Sequence, residues 1–307
     1  MYLEKRKIGS IVKYYLVHSY REEDRVKKIR KYLGSNLSKK ELEEYKKRAE
    51  KKIKELLEKI NTLVFLFSLT KKQIETLNKL NDKIDVIHLS EDEWKYFTED
   101  FVYNTNAIEG STVTEEEVPE ILHKKKAENK EEIETKGVAK AVDYIRKTKE
   151  DVSLNLLLKL HDFCFQGSKS FAGKFRKVNV VIRNSMGQVI HAGVPKEELK
   201  DYLEDFVEWY RENKDKFKPL TLAAIMHNQF EQIHPFQDGN GRVGRLLLNF
   251  VLLKNNYPPI NIILEDRAGY YQTLQKYLKE DDIKSTLKFL IKQYKKTLKK
   301  VTTKKKK

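Results

Sequence analysis

Cysteine and long apolar segments are scarce in this sequence of 307 residues. The single cysteine, Cys164, excludes a disulfide within the chain. No apolar run is longer than the five residues Leu63–Phe67, whereas a membrane-spanning helix needs about 20. The first residues, Met1–Arg6, also lack the apolar core of a signal peptide. We therefore expect a cytoplasmic protein without a membrane partner.

Acidic residues are few relative to basic ones. The chain has 62 Lys and Arg against 46 Asp and Glu, so its formal net charge is 62 − 46 = +16. Such an excess attracts nucleic acid or another polyanion, or it reflects a solvated surface rich in Lys and Glu. We favour the second interpretation because arginine, the better ligand for phosphate and bases, is scarce. The 39% of hydrophobic residues excludes a disordered chain.

The first 60 residues have a pattern of their own. Ile11–His18 and Val26–Leu33 have strand-like composition and predict a small β meander. Ser38 followed by Glu41 forms a capping box. Apolar residues then recur at intervals of three and four as far as Ile60, which predicts an amphipathic helix of about six turns. We expect residues 1–60 to form an N-terminal extension.

Helix signals dominate the rest of the chain. Ser90 and Thr114 are each followed three residues later by glutamate, so helices should begin near Glu91 and Glu115. From about residue 70 onward, nearly every segment has helical spacing of its apolar residues.

One segment departs from the helical pattern. Val178–Ile182 is β-branched and apolar, Asn184–Gly187 is typical of a turn, and Gln188–Ala192 can form the returning strand. A lone hairpin in a helical protein is usually functional.

A histidine stands at the end of a predicted helix. Leu222–Ile233 has helical apolar spacing and is followed by His234 and Pro235. Because proline cannot continue a helix, the helix must end near His234, which leaves the imidazole at the helix terminus.

The residues after this histidine are typical of an anion site. Gly239 and Gly241 precede a buried helix, and a glycine turn at a helix start attracts phosphate through free N–H groups and the helix dipole. Arg242 and Arg245, three residues apart, project from one face of the first turn and suit a polyphosphate. Asp238 is a hard oxygen ligand placed to hold Mg²⁺ against that polyphosphate. These residues together predict phosphoryl or nucleotidyl transfer with a histidine as general base.

The segment His234–Arg245 resembles the signature of the Fic family of nucleotidyl transferases. That signature is His-Pro-Phe-x-(Asp/Glu)-Gly-Asn-Gly-Arg-x-x-Arg, and every defined position matches. Gly173–Arg176 with the following hairpin is similar to the family's flap, and the likeness covers about residues 70–295. It implies a mainly α fold, a Fic-type helical bundle with a β-hairpin flap, plus a small N-terminal β/helical extension. Residues 61–125 would be helices carrying an inhibitory motif, 126–296 the catalytic core and 297–307 a lysine-rich tail.

The resemblance also implies roles for individual residues. His234 would remove the proton from a hydroxyl of a target protein, which then attacks the α-phosphate of ATP. Asp238 would hold Mg²⁺, Phe236 would anchor the loop, and the flap would bind an extended target segment by strand addition. The phosphates would bind to Asn240 and the amides around Gly239 and Gly241. Arg242 would hold the β-phosphate and Arg245 the γ-phosphate. The flap residues would be Val180, Ile182, Val189 and Ile190.

A second motif lies upstream. Thr105–Gly110 fits the family's inhibitory pattern (Ser/Thr)-x-x-x-Glu-(Gly/Asn). The resemblance implies that Glu109 pairs with Arg245, the second arginine of the catalytic motif. A carboxylate bound bidentately there would occupy the place of the γ-phosphate. The expected function is therefore an autoinhibited protein adenylyltransferase that modifies Ser, Thr or Tyr hydroxyls of target proteins and of itself.

Several alternatives stay open at this stage. The reverse reaction would use Glu109 to activate water and His234 to protonate the departing hydroxyl. A protein of a different class would bind nucleic acid through the basic meander and the lysine tail, and a homodimer is also open. Other residues have two interpretations each: packing or metal binding for His227, packing or exposure for His161 and His191, and packing or adenine contact for Tyr270 and Tyr271.

Overall fold

The computed structural model describes residues 1–22, 25–65, 67–183 and 189–304. These residues form two compact units, Met1–Glu75 and Thr76–Lys307. Among them, no helix is both long and apolar enough to cross a bilayer.

The first unit combines a three-stranded sheet, a long helix and a short hairpin. Its antiparallel sheet has the order β1-β2-β3, and the elements are β1 (Tyr2–Ile8), β2 (Ile11–Glu22), β3 (Arg25–Ser35), α1 (Lys39–Ile60), β4 (Asn61–Val64) and β5 (Phe67–Thr70). Leu16, Ala49 and Ile53 form a core between sheet and helix. The predicted meander and helix are confirmed, and the Ser38–Glu41 capping box is present in both directions.

In this part of the chain one element was not predicted and one prediction was wrong. Strand β1 was not anticipated because its four central residues are charged, as is common on edge strands. Residues 61–70 form the β4–β5 hairpin rather than helix. This segment is rich in β-branched and aromatic residues, which fit strands, and Phe65 has a positive φ of 54°.

The second unit is a helical bundle with one hairpin. Its helices are α2 (Lys71–Asn78, which begins in the first unit), α3 (Glu91–Ile108), α4 (Glu117–His123), α5 (Lys130–Lys147), α6 (Leu154–Phe165), α7 (Leu199–Asn213), α8 (Pro219–Ile233), α9 (Asn240–Lys254), α10 (Arg267–Glu280) and α11 (Ile283–Lys304). The mainly α fold predicted from the sequence is confirmed.

Helix boundaries differ from the predictions at two places. The capping box at Ser90 starts α3 as expected, but α4 begins at Glu117 rather than near Glu115, although Glu117 accepts a hydrogen bond from the N–H of Thr114. Helix α11 continues through residues 297–304, which were assigned to a tail, because Thr297 and Val301 are buried. Residues 305–307 of that tail lie outside the described residues.

The hairpin predicted in the second unit is present and short. Strand β6 (Val181–Arg183) pairs antiparallel with β7 (Val189–Ala192), with Ile182 opposite His191. Val180 extends the pairing, since its carbonyl accepts from the N–H of Gly193. The predicted turn at residues 184–187 lies outside the described residues.

Helices α8 and α9 form the centre of the bundle. Nearly every residue of both is buried, as expected for helices that are apolar on most of their surface. The end of α8 and the start of α9 meet in the loop 234–239, which carries the predicted motif.

The start of α8 is stabilised by asparagines from outside the helix. Pro219 occupies its first turn, and no side chain within the helix caps it. The buried Asn81 accepts from the N–H of Leu220 at 2.7 Å and donates to Thr221 Oγ1 at 3.0 Å. Asn78 accepts from the N–H of Lys218 at an exposed position. These contacts fix the helix that positions His234.

We expect Asn81→Ala to lower the free energy of unfolding by about 1–3 kcal/mol, because it leaves a buried N–H and a buried hydroxyl without partners. Asn78→Ala is the matched control, since water can replace its exposed bond, and it should cost about 1 kcal/mol or less. Urea unfolding of both variants measures the difference. Equal losses would contradict the assignment of α8 capping to Asn81.

Candidate active site

The loop between α8 and α9 is held by its own hydrogen bonds. His234 ends α8 in the left-handed conformation (φ 54°, ψ 61°). The Asn240 side chain accepts from the N–H of Phe236 and donates to the Phe236 carbonyl, both at 2.8 Å. The Phe236 ring is fully buried and stacks on His161 at a centroid distance of 4.0 Å. The loop is therefore closed by one side chain and fixed in the core by another.

His234 faces the cleft as a neutral imidazole. Burial lowers its pKa to about 4, and the neighbouring His191, whose ring centroid is 5.9 Å away, acts in the same direction. At neutral pH the ring therefore holds no extra proton and can accept one. The folded state loses stability as the pH falls from about 6.5 toward 4, because the unfolded chain takes up this proton first.

Arg176 joins the flap to the loop 234–239. Its guanidinium donates to the carbonyls of His234 (2.8 Å), Val178 (2.8 Å) and Val194, and its own N–H donates to Pro235 (3.0 Å). The side chain is buried. Arg176 was predicted to belong to the flap, without a role of its own. Its hydrogen bonds could not be predicted because the acceptors are backbone carbonyls, which no sequence pattern identifies.

The first turn of α9 has the geometry of an anion cradle. The N–H groups of Asn240, Gly241 and Arg242 have no preceding helical turn to accept from them. Gly239, at φ 83°, turns the chain into this helix. Phe236 uses the Asn240 side-chain oxygen and one of its two amide N–H donors, so the backbone N–H and the second side-chain N–H are the groups that could make the expected phosphate contact.

Arg245 is the most deeply buried charge of the site, with 1% of its side chain exposed. It donates from Nη2 to Glu109 Oε1 at 2.8 Å and to the Thr105 carbonyl at 2.9 Å, and from Nε to Thr105 Oγ1 at 2.8 Å. Among the described residues, Nη1 has no acceptor. The pair with Glu109 is thus a single hydrogen bond, not the predicted bidentate one, because Thr105 takes Nε and the second N–H of Nη2 while Nη1 does not reach the carboxylate.

Arg242 is held by a carboxylate that the sequence analysis did not identify. Its Nη1 donates to Glu134 Oε2 of α5 at 2.5 Å and lies 3.4 Å from Asn106 Oδ1. The guanidinium lies over the Phe165 ring, 4.3 Å from its centroid. Glu134 was missed because it is 108 positions away in the sequence.

Asp238 pairs with a lysine and fits the proposed role toward Mg²⁺. Its Oδ2 lies 2.7 Å from Lys169 Nζ, and its Oδ1 accepts from the N–H of Gly239. Burial works to raise the pKa of Asp238, but Lys169 and the other positive groups keep it below its usual value. Among the residues that the structure describes, no group of three His, Cys, Asp or Glu could hold a metal. One half-exposed carboxylate suits Mg²⁺ that is also bound by phosphates and water.

His227, His161 and Cys164 have packing roles. His227 is buried, with Nδ1 at 2.9 Å from the Gly244 carbonyl and Nε2 at 3.0 Å from the Tyr270 hydroxyl, so both nitrogens are used within the core. His161 bonds the Asp238 carbonyl and supports the loop. Burial raises the pKa of the Cys164 thiol to about 12, which makes it inert.

These groups surround a cleft of about 490 Å³. His234, Arg245 and Glu109 line one side, and Ile182 and His191 of the flap line another. Tyr270 and Tyr271 of α10 also border it, although Tyr270 is only 2% exposed and packs against His227. The cleft combines a neutral base, an anion cradle and a neighbouring carboxylate.

Residues 151–252, which include the flap and the loop 234–239, match the Fic/DOC family. The chain carries a Fic domain. The protein adenylyltransferase Fic of Drosophila ananassae is 30% identical over 246 residues, which cover 75% of this chain and 48% of that protein. The protein adenylyltransferase Fic of Nematostella vectensis is 29% identical over 199 residues, which cover 62% of this chain and 45% of that protein. The chain thus spans about half the length of the curated relatives it matches.

Solved structures share the fold. A Fic-domain-containing signaling protein from Bacteroides thetaiotaomicron superposes with a TM-score of 0.62 at 24% identity, covering 75% of this chain and 94% of that one. The Fic bundle with its flap is therefore the architecture of the second unit.

Gly239, at the start of α9, is required for two reasons: its positive φ and its close contact with Phe165. Comparison with Gly110 separates the two effects. A Cβ on Gly239 would lie 2.2 Å from the Phe165 ring, and φ is 83°. Gly110 has a similar φ of 94° but open space around it. In both Ala variants, backbone strain should lower the free energy of unfolding by about 1–2 kcal/mol. In Gly239→Ala, overpacking against Phe165 should lower it by about 1–3 kcal/mol more. Urea unfolding would contradict the argument if the two variants were equally stable.

Proposed function

We propose that this chain is an autoinhibited protein adenylyltransferase, which moves AMP from ATP to a hydroxyl of a target protein and of itself. The observation that carries the proposal is the neutral His234 beside the α9 cradle, with Glu109 bound to the buried Arg245. The relatives bear the name protein adenylyltransferase, which supports the same chemistry.

The proposed reaction is an in-line displacement at phosphorus. The target hydroxyl oxygen forms a bond to the α-phosphorus, and the bond from that phosphorus to the pyrophosphate oxygen breaks. His234 accepts the hydroxyl proton as the bond forms. The first-turn N–H groups of α9 stabilise the charge on the phosphate oxygens. Mg²⁺, held by Asp238, would neutralise the leaving pyrophosphate.

Inhibition by Glu109 follows from where its carboxylate lies. A Cβ on Gly241 would be 2.2 Å from Glu109 Oε1, so the carboxylate lies directly against the first turn of α9. It also occupies Arg245, which we assign to the γ-phosphate. A triphosphate and this carboxylate therefore compete for one cation, and ATP would bind with its α-phosphorus displaced from the line of attack.

The flap offers an apolar strand to a target segment. Ile182 and Val189 are 37% and 50% exposed, Val180 is half-buried, and Ile190 lies in β7 between Val189 and His191. Strand addition there would place a target hydroxyl near His234 through main-chain hydrogen bonds.

The reverse reaction would use the same residues. Glu109 would activate a water molecule, the AMP–oxygen bond would break, and His234 would protonate the released hydroxyl. Forward and reverse activity therefore respond in opposite directions to loss of Glu109.

We expect Glu109→Gly to raise AMP transfer by on the order of 100-fold, because correct alignment of the reacting atoms is worth about that much. Purified protein with Mg²⁺ and labelled ATP, scored by mass spectrometry for AMP adducts, measures this. Glu109→Gln keeps the size without the charge and should give a smaller rise. The double variant Glu109→Gly with His234→Ala should be inactive. An unchanged rate in Glu109→Gly contradicts inhibition, and loss of adduct removal supports the reverse role.

A second candidate function is favoured by the exposed sheet face of the first unit. Leu16 packs with residues of α1, and its strand neighbour Tyr15 lies on the other face because side chains alternate along a strand. Tyr15 lies opposite Tyr32 with ring centroids 5.3 Å apart, and Arg6 lies 5.6 Å from the Tyr15 ring. We call this surface the tyrosine face; its residues are Tyr2, Glu4, Arg6, Lys13, Tyr15, Lys28, Arg30 and Tyr32.

We propose that the tyrosine face binds single-stranded nucleic acid. It has four cations against one carboxylate, and Tyr2 and Tyr32 are 47% and 55% exposed. Aromatic rings interleaved with cations provide stacking for bases and attraction for phosphates.

We expect Tyr15→Ala with Tyr32→Ala to weaken binding of a labelled oligouridylate about 10-fold or more, since stacking contributes about 1–3 kcal/mol per base. Fluorescence anisotropy at increasing salt measures both the affinity and its salt dependence. Tyr45→Ala, on the exposed surface of α1, is the matched control. Equal affinity in all three proteins would remove this candidate.

A further inference from the structure

Lys169 lies between two carboxylates beside the catalytic loop. Its Nζ is 2.7 Å from Asp238 Oδ2 and 3.8 Å from Glu134 Oε1. It also lies 5.9 Å from the centroid of the Phe165 ring. The side chain is 29% exposed, so its ammonium remains accessible to solvent. No pattern in the sequence indicates a role for Lys169.

Glu134 has a second cation on its other oxygen. Its Oε2 binds Arg242 Nη1 at 2.5 Å, and its side chain is only 14% exposed. The four groups therefore alternate in charge along a row, in the order Asp238, Lys169, Glu134, Arg242. Phe165 packs against both cations. The row has no net charge, and every carboxylate in it is already paired.

Two members of this row have other proposed partners. Asp238 is assigned to Mg²⁺ and Arg242 to a phosphate of ATP. Mg²⁺ on Asp238 would place a divalent cation beside the Lys169 ammonium, which repels it. Lysine has a long flexible stem, and Glu134 is close enough that a shift of about 1 Å gives a normal hydrogen bond. Glu134 attracts the ammonium most strongly after Arg242 has left it, because the arginine otherwise neutralises the carboxylate.

We infer that Lys169 is a tethered counter-ion that moves from Asp238 to Glu134 when Mg²⁺ and nucleotide bind. This rests on the proposed function. Arg242 exchanges Glu134 for a phosphate, Lys169 exchanges Asp238 for Glu134, and the metal takes Asp238. Lys169 is a positioning residue that makes metal binding depend on nucleotide, and by linkage nucleotide binding depends on the metal to the same degree.

Metal binding to the full-length protein tests this without relying on catalysis. Mn²⁺ is the probe, and electron paramagnetic resonance reports bound and free ion, with and without ADP. Lys169→Met keeps the apolar stem and removes the charge. We expect it to raise Mn²⁺ affinity about 10-fold without nucleotide and less than about 3-fold with ADP. Lys169→Arg should behave like the parent without nucleotide.

Two further variants complete the design. Glu134→Gln removes the second position for the ammonium, so it should weaken Mn²⁺ binding in the presence of ADP and leave Lys169 on Asp238 without nucleotide. Lys174→Met, an exposed lysine of the same loop, is the matched control and should change neither value.

The outcomes separate this inference from the proposed function. Parent-like Mn²⁺ affinity in Lys169→Met without nucleotide overturns the inference, and so does an equal gain with and without ADP. Asp238→Asn should abolish the effect of Lys169→Met, and an effect that persists in that background also overturns it. The expected Mn²⁺ pattern in a protein that transfers no AMP supports the exchange while removing the proposed function.

Discussion

The burial of Arg245 is the constraint on which the site depends. A guanidinium removed from water must be compensated by hydrogen bonds and by a nearby opposite charge. Thr105 and Glu109 of α3 supply both, and Tyr270 of α10 covers the group, with its ring centroid 5.7 Å away. Burial works to lower the pKa of Arg245, but Glu109 outweighs it and the pKa is raised. Three helices are thus held together around one cation that a bound triphosphate would also need.

The same arrangement recurs at two more cations of the site. Arg245 is paired with Glu109, Arg242 with Glu134, and Lys169 with Asp238. A site built for a polyanion carries clustered positive charge, which repels itself when no anion is bound. Internal carboxylates remove that repulsion. Under the proposed function, binding of ATP would be an exchange of partners, so inhibition and the stability of the nucleotide-free site would depend on the same contacts.

The sequence predicted the parts of this site that are continuous along the chain. Pro235 fixes the end of α8 at His234, and the glycines after it fix the turn into α9. Glu109 was identified only through the resemblance to the Fic family, because no local pattern indicates that it meets Arg245.

Glu134 and Lys169 could not be predicted from the sequence. Each is an ordinary charged residue in its local segment, and its partner lies 108 or 69 positions away. Asn240 has a structural role that its sequence context does not indicate. An asparagine in an anion-binding loop is typical of a ligand, and only the geometry of the loop shows that its side chain also holds Phe236.

Two carboxyl groups lie beside Arg245, and only Glu109 is its counter-ion. Glu231 of α8 also lies beside this guanidinium, and its Oε1 has no hydrogen-bond partner in the part of the chain that the structure describes. Burial raises the pKa of Glu231 to about 8, although Arg245 acts against this. At neutral pH the Glu231 carboxyl is therefore mostly protonated and does not neutralise the arginine. Glu109 stands at the cleft surface with 29% of its side chain exposed, so its carboxylate has room to move away from the arginine.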